Sequence, residues 1–324
     1  MPWFNSLIWP EGVSTYPALL LVVVLAARIF PLPVLYHPLT LFSHLATRLA
    51  IKVNPDPNRS PKQLLISGSL ALLLAWLLPM ALVYSLYLFS ELPLILDALL
   101  LYCSLDWHTK QQQAYAIQQR LQAGQLTLAR EQAQTLLCRQ TSMLSAMGIS
   151  KAILESLTLR SASQFIGVLF WFLLGGGLAA LGYRLVLELQ QQWNTKLRVY
   201  RYFAAPVAFV GNTLSAVPKL CATLLLAIQF GVIRCYRQCR QTRLNINRYS
   251  FYLLCCASVA TRRSLGGPVY YGAQKQQRSK IVQQHEPHAA DISALVKLLQ
   301  FSHLCLLIII ACSSVLQLVW HRTY

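Results

Sequence analysis

Residues 64–103 are apolar over almost their whole length, and Glu91 and Asp97 are the only acidic or basic side chains in the run. Roughly 20 such residues cross the hydrocarbon of a bilayer as a helix. Backbone N–H and C=O groups find no water there, so only helices or closed barrels can span it. Pro79 and Ser90-Glu91-Leu92-Pro93 interrupt the run. The reading is therefore a helical hairpin whose turn lies around residues 85–93. Composition agrees: 56% of the 324 residues are hydrophobic and 12% are charged, against about 25% charged in soluble domains. A membrane protein follows, and the polar remainder is too discontinuous for a separate enzymatic domain.

The other apolar stretches are 16–30, 165–187, 220–233 and 298–319. The expected fold class is all-α: a polytopic integral membrane protein with about four to six membrane helices. It reads as a single membrane domain over 1–324, with polar, cytosolic segments at 104–164 and 234–297. The first polar segment is glutamine-rich, and Ile117, Leu121 and Leu128 mark amphipathic helices. The N-terminal Met-Pro-Trp-Phe-Asn has no basic region, so no cleaved signal peptide is expected.

The chain carries 28 Lys and Arg against 10 acids, a formal charge of +18. Such a balance fits nucleic acid or an anionic membrane leaflet. Here the basic residues flank apolar runs, as cytosolic loops do, and no interleaved aromatic and basic surface is present. Anionic lipids of the inner (plasma) membrane of a bacterium are the expected partner, and nucleic acid is not. Segment 188–202 holds Lys196, Arg198 and Arg201 against Glu188. It stays on the same side as the other basic segments if 165–187 turns back at Gly175-Gly176-Gly177 as a re-entrant hairpin. Arg234, Arg237, Arg240 and Arg243 recur every three residues and spread over about half a helix circumference, suited to lipid headgroups.

Nine cysteines do not form a disulfide framework, because those in basic segments face a reducing compartment. Cys235-x3-Cys239 with Cys255 and Cys256 fits no common zinc spacing, and Pro287 breaks the helix that would align His285 and His288. Residues 265–272, Leu-Gly-Gly-Pro-Val-Tyr-Tyr-Gly, cannot be helix interior. Gly266 and Gly267 suit positive φ or close approach of a ligand, and Tyr270 and Tyr271 offer flat faces. A structured turn is the rival reading.

These features together resemble the CobD/CbiB family of membrane proteins of cobalamin biosynthesis. The marks are His37-Pro38, Ala129-Arg130-Glu131, Arg139-Gln140-Thr141, Glu155-Ser156, Leu169-Phe170-Trp171, the triple glycine, Tyr183-Arg184, Val217-Pro218 and Leu265-Gly266-Gly267…Tyr271-Gly272. Pro287 and Asp291-Ile292 follow. The resemblance implies an adenosylcobinamide-phosphate synthase, which joins a corrinoid carboxylate to an aminopropanol unit by ATP-dependent amide formation. It implies Glu131, Glu155, Arg139 and Thr141 as catalytic candidates. His37, Arg130, Tyr183, Arg184, Gly266, Gly267, Tyr270 and Tyr271 would bind substrate, a corrinoid. Magnesium and ATP are the implied cofactors, with Glu131 or Glu155 holding the metal.

The chain also departs from the pattern. Gln140 stands where the family has Asp; Leu159, Arg160 and Ser163 replace polar or acidic positions, as do Leu187, Gln190, Gly211 and Asn212. The alternative is a non-catalytic relative, similar to the AmpE-type membrane sensors or regulators, with a retained scaffold. A transporter of a large anion would need charge along a membrane path, and only Asp97 and Lys297 lie near span ends. The amine, the nucleotide and the oligomeric state are left open by the sequence.

Overall fold

In the computed structural model, residues 15–33, 36–56, 59–137, 141–242, 247–271 and 274–323 are described. Arg139, Gln140, Arg243, Gly272 and the N-terminal Met-Pro-Trp-Phe-Asn, singled out above, lie outside them, and so do the side chains of Tyr270 and Tyr271. The described chain is helical apart from four strands of two or three residues. Its contacts divide it into two compact units, residues 1–106, 167–214 and 303–324, and residues 107–166 and 215–302.

The helical stretches long and apolar enough to cross a membrane are Pro61–Phe89, Ala146–Gln192 and Ala290–Val315, or four with Ala205–Leu214 and Ala216–Phe230 taken as one. The protein is thus an all-α membrane protein. The count sits at or below the low end of the sequence expectation for a geometric reason. Thr15–Ile29 has 15 residues and Pro93–Ser104 has 12, about 22 and 18 Å of helix against a hydrocarbon core of about 30 Å.

In the first unit, helix Pro61–Phe89 ends where expected, and the chain restarts at Pro93. Proline at the first turn lacks only an N–H that a helix start leaves unpaired. Ser60 caps the N-terminus of Pro61–Phe89, its hydroxyl accepting from Gln63 N–H at 3.3 Å. Helix Gly167–Gln192 is not one rod. Gly175 (φ −152°, ψ 29°) and Gly176 (φ 65°, ψ −161°) leave helical geometry. Along a straight helix Trp171 and Tyr183 would lie about 18 Å apart, yet their ring centroids are 6.0 Å apart. Tyr183 Oη also lies where a Cβ on Gly167 would stand. The chain therefore reverses at the triple glycine, as the charge distribution predicts, and the two legs pack on one another through small and aromatic residues.

Asp97 closes the tip of this hairpin. Its carboxylate accepts from the Gly177 N–H at 2.6 Å, from the Tyr16 hydroxyl at 3.1 Å and from the Tyr87 hydroxyl. A buried acid in an apolar helix is costly unless its oxygens are all engaged, and here three donors converge on it. The other end of the second leg is fixed by Trp193, whose indole donates to Ala46 O at 3.0 Å and packs tilted against Phe203, ring centroids 5.1 Å apart. Ala46, Ala50, Ala71, Leu189, Phe203 and Val207 complete that core.

The second unit gathers most of both polar segments. Helices Trp107–Gln122, Leu126–Leu137 and Ala146–Arg160 pack in sequence. Ile117 is fully buried, but Leu128 is exposed, a correction to the amphipathic reading. Alanine does the close packing of Leu126–Leu137 instead, at Ala129 and Ala133, where its small side chain lets neighbouring backbones approach. The glutamines have a structural use. Gln111 and Gln118, two turns apart on one face, bond Gln300 (3.3 Å) and Ser293 (3.2 Å), and Gln229 accepts from Ser302 at 2.8 Å.

Candidate functional site

The glycine loop is the best-built feature of the second unit. Leu265–Gly266 pairs antiparallel with Lys280–Ile281, and Val269–Tyr271 with Gln274–Gln276. Gly266 (φ 73°) and Gly267 (φ 93°) sit in the left-handed region that disfavours any Cβ. Gly267 N–H donates to Ser279 O at 3.0 Å. The strand leads from helix Arg248–Thr261 through Arg262, itself left-handed at φ 55°.

Glu155, on helix Ala146–Arg160, holds this loop. One carboxylate oxygen accepts from Gly266 N–H at 2.7 Å, and the other lies 3.7 Å from the Arg278 guanidinium. The side chain is buried, so its charge is matched by an N–H and a cation rather than by water. Lys151, one turn earlier, has its ammonium 3.4 Å from where a Cβ of Gly267 would stand. The result is a glycine-lined backbone edge with Glu155 behind it and Arg278 and Lys151 beside it. Two cations next to backbone without side chains can receive an anionic group closely.

The other second-unit candidates are placed differently. Arg130 donates from Nε to Leu144 O at 2.9 Å, and its own carbonyl accepts from the buried Thr141 hydroxyl at 2.7 Å. These two bonds brace the connection into Ala146–Arg160. Glu131 is exposed and makes no ion pair or hydrogen bond among the described residues. Arg160 is spent on Leu136 O at 2.8 Å and Ser156 at 3.2 Å. No group of three or more His, Cys, Asp or Glu among the described residues is arranged to hold a metal ion.

In the first unit, Arg184 is buried at 1% exposure and pairs with Asp106 at 2.9 Å and Glu188 at 3.6 Å. Tyr183 is buried beside Trp171. His37 caps helix Pro38–Val53, Nδ1 accepting from Leu39 N–H at 3.3 Å. Tyr183 and Arg184 thus stand side by side on one leg of the hairpin, and His37 at a helix start.

Sequence reasoning missed Arg278, Asp106 and the role of Asp97. For Arg184 and Glu188 the i,i+4 spacing was a readable signal, and a lone acid inside an apolar run was one for Asp97. Nothing local marks Arg278, which reaches Glu155 from 123 positions away in the chain.

A family model described as CobD/Cbib protein matches residues 19–299. A relative from Chromobacterium violaceum, named cobalamin biosynthesis protein CobD, is 29% identical over 86% of this chain and 90% of its own. A second of that name, from Stutzerimonas stutzeri, is 27% identical over 79% of this chain and 84% of its own. No solved structure matches. The matched span includes the glycine loop, Glu155, the hairpin and Arg184, and the chain belongs to the CobD/Cbib protein family.

Proposed function

We propose that the chain acts in cobalamin biosynthesis, as the membrane enzyme that joins a corrinoid carboxylate, that of cobyric acid, to an aminopropanol (phosphate) unit. Family membership supports this, and one observation carries it: Gly266 and Gly267 held open at positive φ by Glu155 beside Arg278 and Lys151. In this reading Arg278 and Lys151 bind the phosphate or carboxylate oxygens, and the glycines admit the substrate to the backbone. Tyr270 and Tyr271 come after Pro268 and Val269, in strand Val269–Tyr271, and would take the corrin face. A nucleoside triphosphate with magnesium would supply the activation of the carboxylate when bound. Both oxygens of Glu155 are engaged, so it anchors the loop, and Glu131, with its carboxylate free among the described residues, suits the metal. Thr141 and Arg130 hold that helix in place.

Complementation tests the reading. A bacterium lacking its own family member, expressing this chain and given cobyric acid, is expected to grow under cobalamin-requiring conditions. Glu131→Gln is then expected to reduce growth with membrane levels unchanged. Growth only on cobinamide would favour the second reading, a non-catalytic relative. The observation behind that one is Arg184, whose charge is already matched inside the protein by Asp106 and Glu188.

We also place the chain in a bacterial inner membrane with its basic segments on the cytosolic, anionic leaflet. Helix Val232–Gln241 supports this, since it exposes Val232, Ile233 and Tyr236 beside Arg234, Arg237 and Arg240. Such a helix can lie on a membrane surface. The glycine hairpin returns residues 188–202 to the side from which it entered. Compared with the unaltered chain and its nine native cysteines, Lys196→Cys, at an exposed position, should add no labelling by an impermeant maleimide in intact cells and should add labelling after permeabilisation. Labelling from outside would remove this sidedness.

A further inference from the structure

The four cysteines that fit no zinc spacing come together in the fold. Cys235 and Cys239 lie one turn apart on helix Val232–Gln241, and Cys255 and Cys256 are adjacent on helix Arg248–Thr261, against which it packs. The thiols contact each other in pairs, Cys235 with Cys256 and Cys239 with Cys255, and all four are free. Cys235, Cys255 and Cys256 are buried, whereas Cys239 is partly exposed. Two facing thiol pairs, one with a reachable sulfur, are a poor match for inert core filling, where a single buried cysteine stands among apolar side chains.

We propose that these four cysteines form a redox-responsive dithiol site, in which Cys239 and Cys255 are oxidised by a small disulfide and lock the basic helix to its neighbour. The Cys239 thiolate attacks one sulfur of the small disulfide, giving a mixed disulfide and expelling one small thiolate. Cys255 then loses its proton and attacks Cys239 Sγ, expelling the second. Two protein thiols and one small disulfide become one protein disulfide and two small thiols; the two thiol protons end on the latter. The protein loses two electrons, and the small disulfide gains them.

Two features support the order of attack. The S–H of Cys255 donates to Cys239, which lowers the pKa of Cys239 and raises that of Cys255. Cys235 is lowered in the same way by Cys256, and of these two thiols Cys239 is the partly exposed one, where a small disulfide can reach a thiolate. Cys235 and Cys256 lie beside them and can take over the disulfide by internal exchange. The crosslink bears on function through the chain path, because helix Arg248–Thr261 runs through Arg262 into Gly266. A pinned helix stiffens the base of the glycine loop.

Peptide mapping of the full chain in membrane vesicles tests this directly. Trypsin releases Cys235 in residues 235–237, Cys239 in 238–240, and both Cys255 and Cys256 in 249–262. Oxidised glutathione is expected to join 238–240 to 249–262, reversibly by dithiothreitol. Cys239→Ser should slow all crosslinking to 249–262 by about tenfold or more, and Cys312→Ser should leave it unchanged. Thiols that stay fully alkylatable after oxidation would overturn the proposal, as would equal slowing by Cys312→Ser. So would a stoichiometric zinc ion on the isolated protein that shields all four from the oxidant. The mapping on the unaltered chain stands even if a variant fails to fold.

Discussion

Gly266→Val is expected to abolish growth on cobyric acid, while Gly124→Val leaves it nearly intact. The pair is informative because both glycines have the same φ, 73°. A β-branched residue in that left-handed region carries strain of about 1–3 kcal/mol at either place. Around Gly124 nothing lies within 4 Å of an added Cβ, whereas at Gly266 the Cβ would overlap the Ser279 carbonyl oxygen. Relief of that overlap must part Gly266 from Lys280 and draw its N–H away from Glu155, a charge-assisted bond worth about 1.5–3 kcal/mol. Growth and the yield of folded protein in the membrane are the two readouts. Equal effects at both glycines would show that left-handed strain alone, and not docking of the loop on Glu155, accounts for the loss.

Arg184→Met is expected to cost about 3–5 kcal/mol, as removal of one partner from a buried ion pair does. The charge lost is at 1% exposure, and Asp106 and Glu188 would be left facing each other without a cation. Thermal unfolding in detergent should fall well below that of the unaltered chain. Adding Asp106→Asn to Arg184→Met should restore part of the loss, since the second change removes the uncompensated carboxylate. If Arg184 instead serves only to bind substrate, Arg184→Met would leave the melting temperature in place and reduce growth alone.

What the sequence made legible was local or statistical. The break at 90–92, the glycine loop and the amphipathic helices follow from proline, glycine and periodicity within a few residues. The hairpin at Gly175–Gly177 came from counting charges on either side, because cations within a short loop prefer one face of the membrane. Partners distant in the chain were not legible. Glu155 meets Gly266 across 111 positions, and Arg184 meets Asp106, which lies in the link between two helices earlier in the chain. Nothing in the neighbourhood of either residue encodes the other. The cysteines illustrate the same limit: their spacing argued against a closed zinc site, yet only the packing of two helices shows them facing in pairs.

The Asp97 latch also bears on how the chain is made. The carboxylate and the glycine N–H it receives are 80 residues apart, and the acid is the earlier of the two. During synthesis, Asp97 and its tyrosine donors Tyr16 and Tyr87 have all left the ribosome before the hairpin emerges. The acceptor and its two tyrosines are therefore already synthesised when the three glycines emerge. A backbone turn that would be intolerable in hydrocarbon as a free intermediate arrives at a waiting partner, so the order of insertion is written into the order of the sequence.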